Sequence, residues 1–310
     1  MRRGQATARS TLDRQVARAF SLIEILVVIG LLSVIILGLL AMFNQTQRAF
    51  RTGMTQVDVL AAGRAATDMI ARDLSQITPA SYSWDAVNFY AKVQAFAPFL
   101  QPLPGTAIPA EQRKNLLAEM FFLTRENQTG QPRWSGVGYW VGDPVNGGPA
   151  TGGWGTLYRF QTNTVFRDMP SPRALYNYYN QAVARSNLSS RVIDGVVHFK
   201  VRAFTTNGTW ITPVSPDVGT NMRTHMQYSQ FVPDEVEYFR GPFFTFTNTA
   251  VPAFVEFELG ILEERALARL KSIPIADPTT RSNYLRQQAG RVQIFRTRVP
   301  VRNVDPTSYQ

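Results

Sequence analysis

The sequence predicts an α+β fold, a long N-terminal helix followed by an antiparallel β domain, on three observations. From Ile25 to Phe43 no residue is charged, inside an apolar run that opens at Phe20. No proline occurs from Met1 to Thr78. Beyond that point short stretches alternate apolar with polar residues between glycines and prolines, the period of half-buried strands. One long helix and then consecutive strands is the α+β pattern.

The helix comes first. Residues 20–43 are long enough to cross a bilayer, which takes roughly 20 apolar residues. Arg2, Arg3, Arg9, Arg14 and Arg18 precede the run against a single Asp13, whereas Arg48, Arg51 and Arg64 follow it. That excess keeps residues 1–19 cytoplasmic and exports the rest. Residues 44–78 continue as an amphipathic helix: Arg64, Asp68, Arg72 and Gln76 recur on one face, Ala66, Ile70, Leu74 and Ile77 on a neighbouring one. A helix from Phe20 to about Ile77 would reach about 87 Å. Thr78-Pro79 stops it. Gly30, Gly38, Gly53 and Gly63 weaken it, unless they mark close helix contacts.

The β domain follows as residues 79–310. Prolines at 98, 102, 104 and 109 predict a long loop over 79–118, with a short helix at Glu111–Leu117. Strands are expected at Glu119–Thr124, Val137–Val141 and Thr156–Thr162, the last two a hairpin around the glycine-rich Gly147–Gly155. A helix should follow Pro172. Arg191–Phe204 contains a period-2 strand, closed by the turn signal Asn207-Gly208. Residues 212–250 form a second long loop. Phe254, Val255, Phe257 and Leu259 against Glu256 and Glu258 predict a strand within Ala253–Leu262, then short helices at Glu263–Lys271 and 277–290. Val292–Val299 is the last strand.

Composition excludes several chemistries. The chain has no cysteine, so neither disulfides nor thiolate ligands are available. Its two histidines, His198 in a strand and His225 in a loop, suit structure better than metal binding. Gly147–Gly155 lacks the Gly-Lys-Ser/Thr of a phosphate loop. Asp234, Glu235 and Glu237 cluster without the spacing of a calcium loop. The formal charge of +10 includes +4 from residues 1–19, and no block of like charge marks a nucleic-acid surface. No cofactor, small-molecule substrate or catalytic constellation is indicated, so an enzyme is not expected.

Glu24 stands out because an acid at membrane depth costs a few kcal/mol unless something pairs with it. Its surroundings, Arg18-Ala19-Phe20-Ser21-Leu22-Ile23-Glu24-Ile25-Leu26-Val27, closely resemble the processing site of type IV prepilins and type II secretion pseudopilins. The family pattern is a small residue, usually Gly, then Phe, Thr or Ser, Leu, Ile or Leu, and Glu, followed by an apolar helix. Ala19 departs from the usual glycine but stays small. The resemblance implies cleavage between Ala19 and Phe20 by a prepilin peptidase, methylation of the Phe20 amine, and assembly through Glu24. It implies a pilin-like fold, a helical spine packed on the sheet, in the bacterial inner membrane with the C-terminal domain periplasmic.

Four further segments are similar to J-type minor pseudopilins: Ala71–Gln76, Ile193-Asp194-Gly195-Val196, Pro252–Leu259 and Ile294-Phe295-Arg296-Thr297. That resemblance implies a tip complex with other minor and major pseudopilins of a type II secretion system, helping to export folded proteins. Two alternatives stay open: a minor pilin of a type IV pilus, used in adhesion or DNA uptake, and a membrane-tethered periplasmic enzyme.

Overall fold

The computed structural model describes residues 21–80, 86–93, 99–102, 112–128, 131–144, 148, 150, 152–163, 172–211, 243–247, 250–274 and 276–304. Helix α1 (Leu22–Leu74) runs without a break, then a turn brings Ile77 into a bridge with Thr124. Two compact units divide within α1, Met1–Met54 and Thr55–Gln310. The first consists of α1 as far as it is described. The second holds the rest of α1 and all ten strands.

The helix and sheet of the second unit confirm the α+β expectation. Eight strands form one antiparallel sheet in the order β10-β9-β7-β6-β5-β4-β1-β8. These are β1 (Val87–Val93), β4 (Ala118–Gln128), β5 (Gln131–Gly142), β6 (Gly155–Asn163), β7 (Ser189–Phe204), β8 (Phe243–Thr247), β9 (Phe254–Leu262) and β10 (Val292–Pro300). A separate ribbon pairs β2 (Phe99–Pro102) with β3 (Gln112–Asn115). The sheet curls enough for Leu117 to bridge Phe199 in parallel, which carries the start of β4 to β7.

Strand alternation gives the sheet two buried faces. On one, Met120, Phe122, Val137, Tyr139, Val141, Leu157, Val201 and Phe257 meet Val59, Ala66, Ile70 and Leu74 of α1. Arg64, Asp68, Arg72 and Gln76 remain exposed, as the helical period requires. On the other face, Tyr90, Phe121, Leu123, Trp140 and Phe160 pack under Leu175 and Tyr179 of α2 (Pro172–Asn180), which leads into α3 (Ala182–Asn187). Gly136 and Gly138 make room for that helix: a Cβ at Gly138 would lie 2.4 Å from the Tyr179 ring. A third cluster joins α4 (Glu264–Ser272) and α5 (Pro278–Gln287) to Trp154, Val197 and Val292.

Polar contacts fix α1 against its face. Tyr139 donates to Asp73 Oδ2 at 2.6 Å, and Arg159 Nε donates to the same oxygen at 2.7 Å. Burial, then the Asp73 charge, raise the Tyr139 pKa, so the phenol stays protonated and donates. One acid of the helix is thereby tied to two strands.

Some local expectations are corrected. Residues 79–118 are not one irregular loop, since β1, β2 and β3 lie within them. Glu111–Leu117 is not a helix; its described residues form β3 and the Leu117 bridge, held by pairing with β2. The second long loop, 212–250, loses 243–247 to β8, which pairs with β1. Gly63 is a packing position rather than a weak point, because a Cβ there would lie 2.3 Å from the Phe295 ring. Gly30, Gly38 and Gly53 have nothing within 4 Å of that position.

Replacing Gly63 by Val should destabilise the domain by about 1–3 kcal/mol through overpacking. Phe295→Ala in the same chain should remove part of that cost, since residues in contact couple. Urea unfolding of the detergent-solubilised chain checks this; strictly additive costs would contradict the contact.

Candidate functional site

The helix start is built by two backbone bonds, Glu24 N–H to the Ser21 carbonyl at 3.0 Å and Ile25 N–H to the same oxygen at 3.2 Å. Glu24 therefore sits in the first turn of α1. There the helix dipole favours a carboxylate by about 0.3–1 kcal/mol. Ser21 and Glu24 also have the spacing of a capping box, Ser-x-x-Glu, a local signal the sequence reading passed over. This role is smaller than the ~2.5–3.5 kcal/mol cost of an acid at the centre of a hydrophobic span.

Around and beyond Glu24 the helix is apolar on every side. Four consecutive residues, Ile25, Leu26, Val27 and Val28, are 49%, 64%, 52% and 57% exposed. A helix that is apolar all round belongs in a non-aqueous environment. Residues Leu22–Phe50 have a mean hydropathy of 3.1 over their most apolar window, and none of that window is buried within the protein. This helix is long and apolar enough to cross a membrane. Ala19 and Phe20 lie outside the described residues, so Glu24 is the one expected site residue that the structure places.

The other candidates separate clearly. His198 is buried, with a structural role. Its Nδ1 accepts from the Leu116 N–H at 3.1 Å, which leaves the proton on Nε2, facing Glu258 at 3.4 Å. Burial lowers the His198 pKa below its ordinary 6.5 against the pull of Glu258, and Arg113 and Lys200 lower it further. Glu258 is lowered to about 2, first by its bond with His198 and then, against burial, by Arg202. His225, Asp234, Glu235 and Glu237 lie outside the described residues. Among the described residues no group of three metal-ligating side chains converges.

A polar cleft of about 370 Å³ opens where α1 ends on β4, β5 and β6, lined by Asp73, Gln76, Thr124, Arg125, Ser135 and Arg159. Its deepest charges, Asp73 and Arg159, satisfy each other and Tyr139. No protein-family model matches the chain, and no curated protein is significantly similar to it.

The His198–Glu258 pair makes the domain acid-sensitive. A histidine whose folded pKa is lowered binds fewer protons than it does unfolded, so its share of stability is complete above about 6.5 and is lost as pH falls below that. The share of Glu258 is present above its ordinary 4.5 and is lost as pH falls towards about 2. Unfolding midpoints should therefore fall in two stages on acidification. His198→Gln, which can still accept from Leu116, should remove the upper stage.

Proposed function

We propose that this chain is a pilin-like subunit of the bacterial inner membrane, and within that class a minor pseudopilin of the J type in a type II secretion system. The single observation that carries the reading is a carboxylate in the first turn of an exposed apolar helix. The prepilin-like sequence from Ala19 to Glu24 stands around that carboxylate. The antiparallel domain that buries the second half of α1 supports it, because a fibre subunit needs a spine fastened to a folded head.

In this reading a prepilin peptidase cuts between Ala19 and Phe20 and methylates the new amine. The chain stays single-pass, with its N-terminus cytoplasmic and its β domain periplasmic. On assembly, Glu24 pairs with the Phe20 ammonium of a neighbouring subunit. Removing one partner of a buried pair costs about 3–5 kcal/mol, so the pair fixes axial register between subunits. The partners are the peptidase, other minor and major pseudopilins, and membrane lipid. Assembled at the fibre tip, the subunit helps move folded proteins across the outer membrane.

Mass spectrometry of the protein from cells with an active peptidase should find methylated Phe20 at the N-terminus. A chain that still begins at Met1 would contradict the reading. A bulky residue at position 19 should leave the leader attached.

Glu24→Leu should insert into the membrane normally but lose co-purification with other subunits, along with secretion. Secretion at the wild-type rate in that variant would remove the role assigned to Glu24.

A further inference from the structure

On the sheet face opposite α1, side chains form three rows across β7, β9 and β10. Register aligns Lys200, Glu258 and Arg296 in one row, Arg202, Glu256 and Arg298 in the next, and Phe204, Phe254 and Pro300 in the third. Each acid thus stands between two cations. Helices α2 and α3 cover the outer face at β1, β4, β5 and β6, while α4 and α5 pack near Val197, Leu262 and Val292. The ribbon reaches the same face at His198, beside the first row, while Arg296, Arg298 and Pro300 are exposed and Lys200, Arg202, Phe204 and Phe254 partly so.

The ion pairs within the rows are already made. Arg202 reaches Glu256 at 2.7 Å and Glu258 at 3.1 Å. Arg296 reaches Glu256 at 2.9 Å and Glu258 at 3.7 Å. Burial pulls the Glu256 pKa up, yet its bonds with Arg296 and Arg202 outweigh that and leave it lowered, so it is charged and engaged.

Arg298 is the exception. It stands opposite Glu256 in register, but its guanidinium lies over the Phe204 ring at 4.0 Å and the Phe254 ring at 4.7 Å. It is exposed, and among the described residues no carboxylate pairs with it. Its planar fork is thus held by two rings, with Nη2 beside the Gly208 turn, and an exposed fork of this kind can recognise a carboxylate in bidentate fashion. Beside it Trp210, 37% exposed, bridges Phe204 and lies under Arg202 at 5.6 Å.

We propose that this ladder docks an extended acidic segment of a partner protein, one carboxylate taking the Arg298 fork and an apolar side chain two residues along covering Phe204, Phe254 and Trp210. Charge complementarity selects the class. The rows carry an excess of cations, which calls for an anionic partner. Glu256 and Glu258 lie between those cations and repel a continuous phosphate backbone, which cannot choose where its charges fall. A peptide can set its carboxylates at alternate positions and so meet the cations while avoiding the acids.

The test uses a fluorescent peptide of Glu-Ser-Phe-Ser repeats, which puts Glu and Phe on one face of an extended chain, with the detergent-solubilised full chain, read by anisotropy at two salt concentrations. Binding should weaken with salt and fall about tenfold or more in Arg298→Gln, the scale of one charge-assisted bond. Arg298→Lys, which keeps the charge and loses the fork, should fall between. Arg298→Glu should reverse the preference, weakening the Glu peptide and strengthening its Lys counterpart. Equal binding of a Gln-for-Glu peptide would overturn the proposal. So would an unchanged affinity in Arg298→Gln, or stronger binding of a DNA duplex or anionic vesicles through the same arginine. The inference does not rest on the fibre reading: a methylated Phe20 without peptide binding would sink this proposal alone.

Discussion

One helix has to satisfy two different surroundings, and the rest of the structure follows from that constraint. From Ile25 to Phe43 its side chains carry no charge and present apolar surface on every side. From Val59 onward only a stripe is apolar, and that stripe is buried. The change in pattern is a change of solvent. Water cannot surround the first stretch, and lipid cannot accommodate Arg64, Asp68 and Arg72 of the second. The sequence therefore sets where the stretch long and apolar enough to cross a membrane gives way to the half that packs on the sheet, with no proline to separate them.

The sheet meets the helix with a surface of its own making. Strands β4, β5 and β6 are buried on both faces, so their residues cannot alternate simply between apolar and polar. Side-chain size alternates on β5 instead: Val137, Tyr139 and Val141 fill the helix side, while Gly136 and Gly138 hollow the other side for α2. The polar groups that remain inside are satisfied locally. Asn88 accepts from the Ala80 N–H at 2.9 Å and donates to the Ala250 carbonyl at 3.0 Å, which ties two chain segments to one strand. Glu119 is paired with Arg185 at 2.9 Å, whose guanidinium also lies over Trp140. Losing either partner would leave a charge in a site that water reaches poorly.

What the sequence revealed divides along the same line. Strand β9 was legible because one of its faces carries charge: Glu256 and Glu258 alternate with Val255, Phe257 and Leu259. The amphipathic half of α1 was legible for the equivalent helical reason. Strand β1 was not, because six of its seven residues are buried and Asn88 breaks the apolar run. Strand β3, Gln-Arg-Lys-Asn, has no strand propensity of its own. It is a strand because it pairs with β2, where Asn115 donates to the buried Gln101 at 2.8 Å. Glu24 was conspicuous from composition alone, whereas its place in the first turn, where its N–H meets the Ser21 carbonyl, needed the helix boundary. Arg298 could not have been singled out, since its freedom depends on which of four aligned cations the two acids engage.

The distribution of paired and unpaired charge bears on what kind of protein this is. An enzyme gathers groups with unmet bonding capacity into a concavity, where water is excluded and small geometric changes matter. Here the cleft at the end of α1 holds groups that answer one another: Asp73 is met by Tyr139 and Arg159. Outside that cleft Glu24, on the apolar stretch of α1, and Arg298, on the outer sheet face, are charged groups without an ion-pair partner among the described residues. Both are exposed and neither sits in a cavity. The second half of α1 is fastened to one face of the sheet, and the opposite face is covered by α2 over β1, β4, β5 and β6.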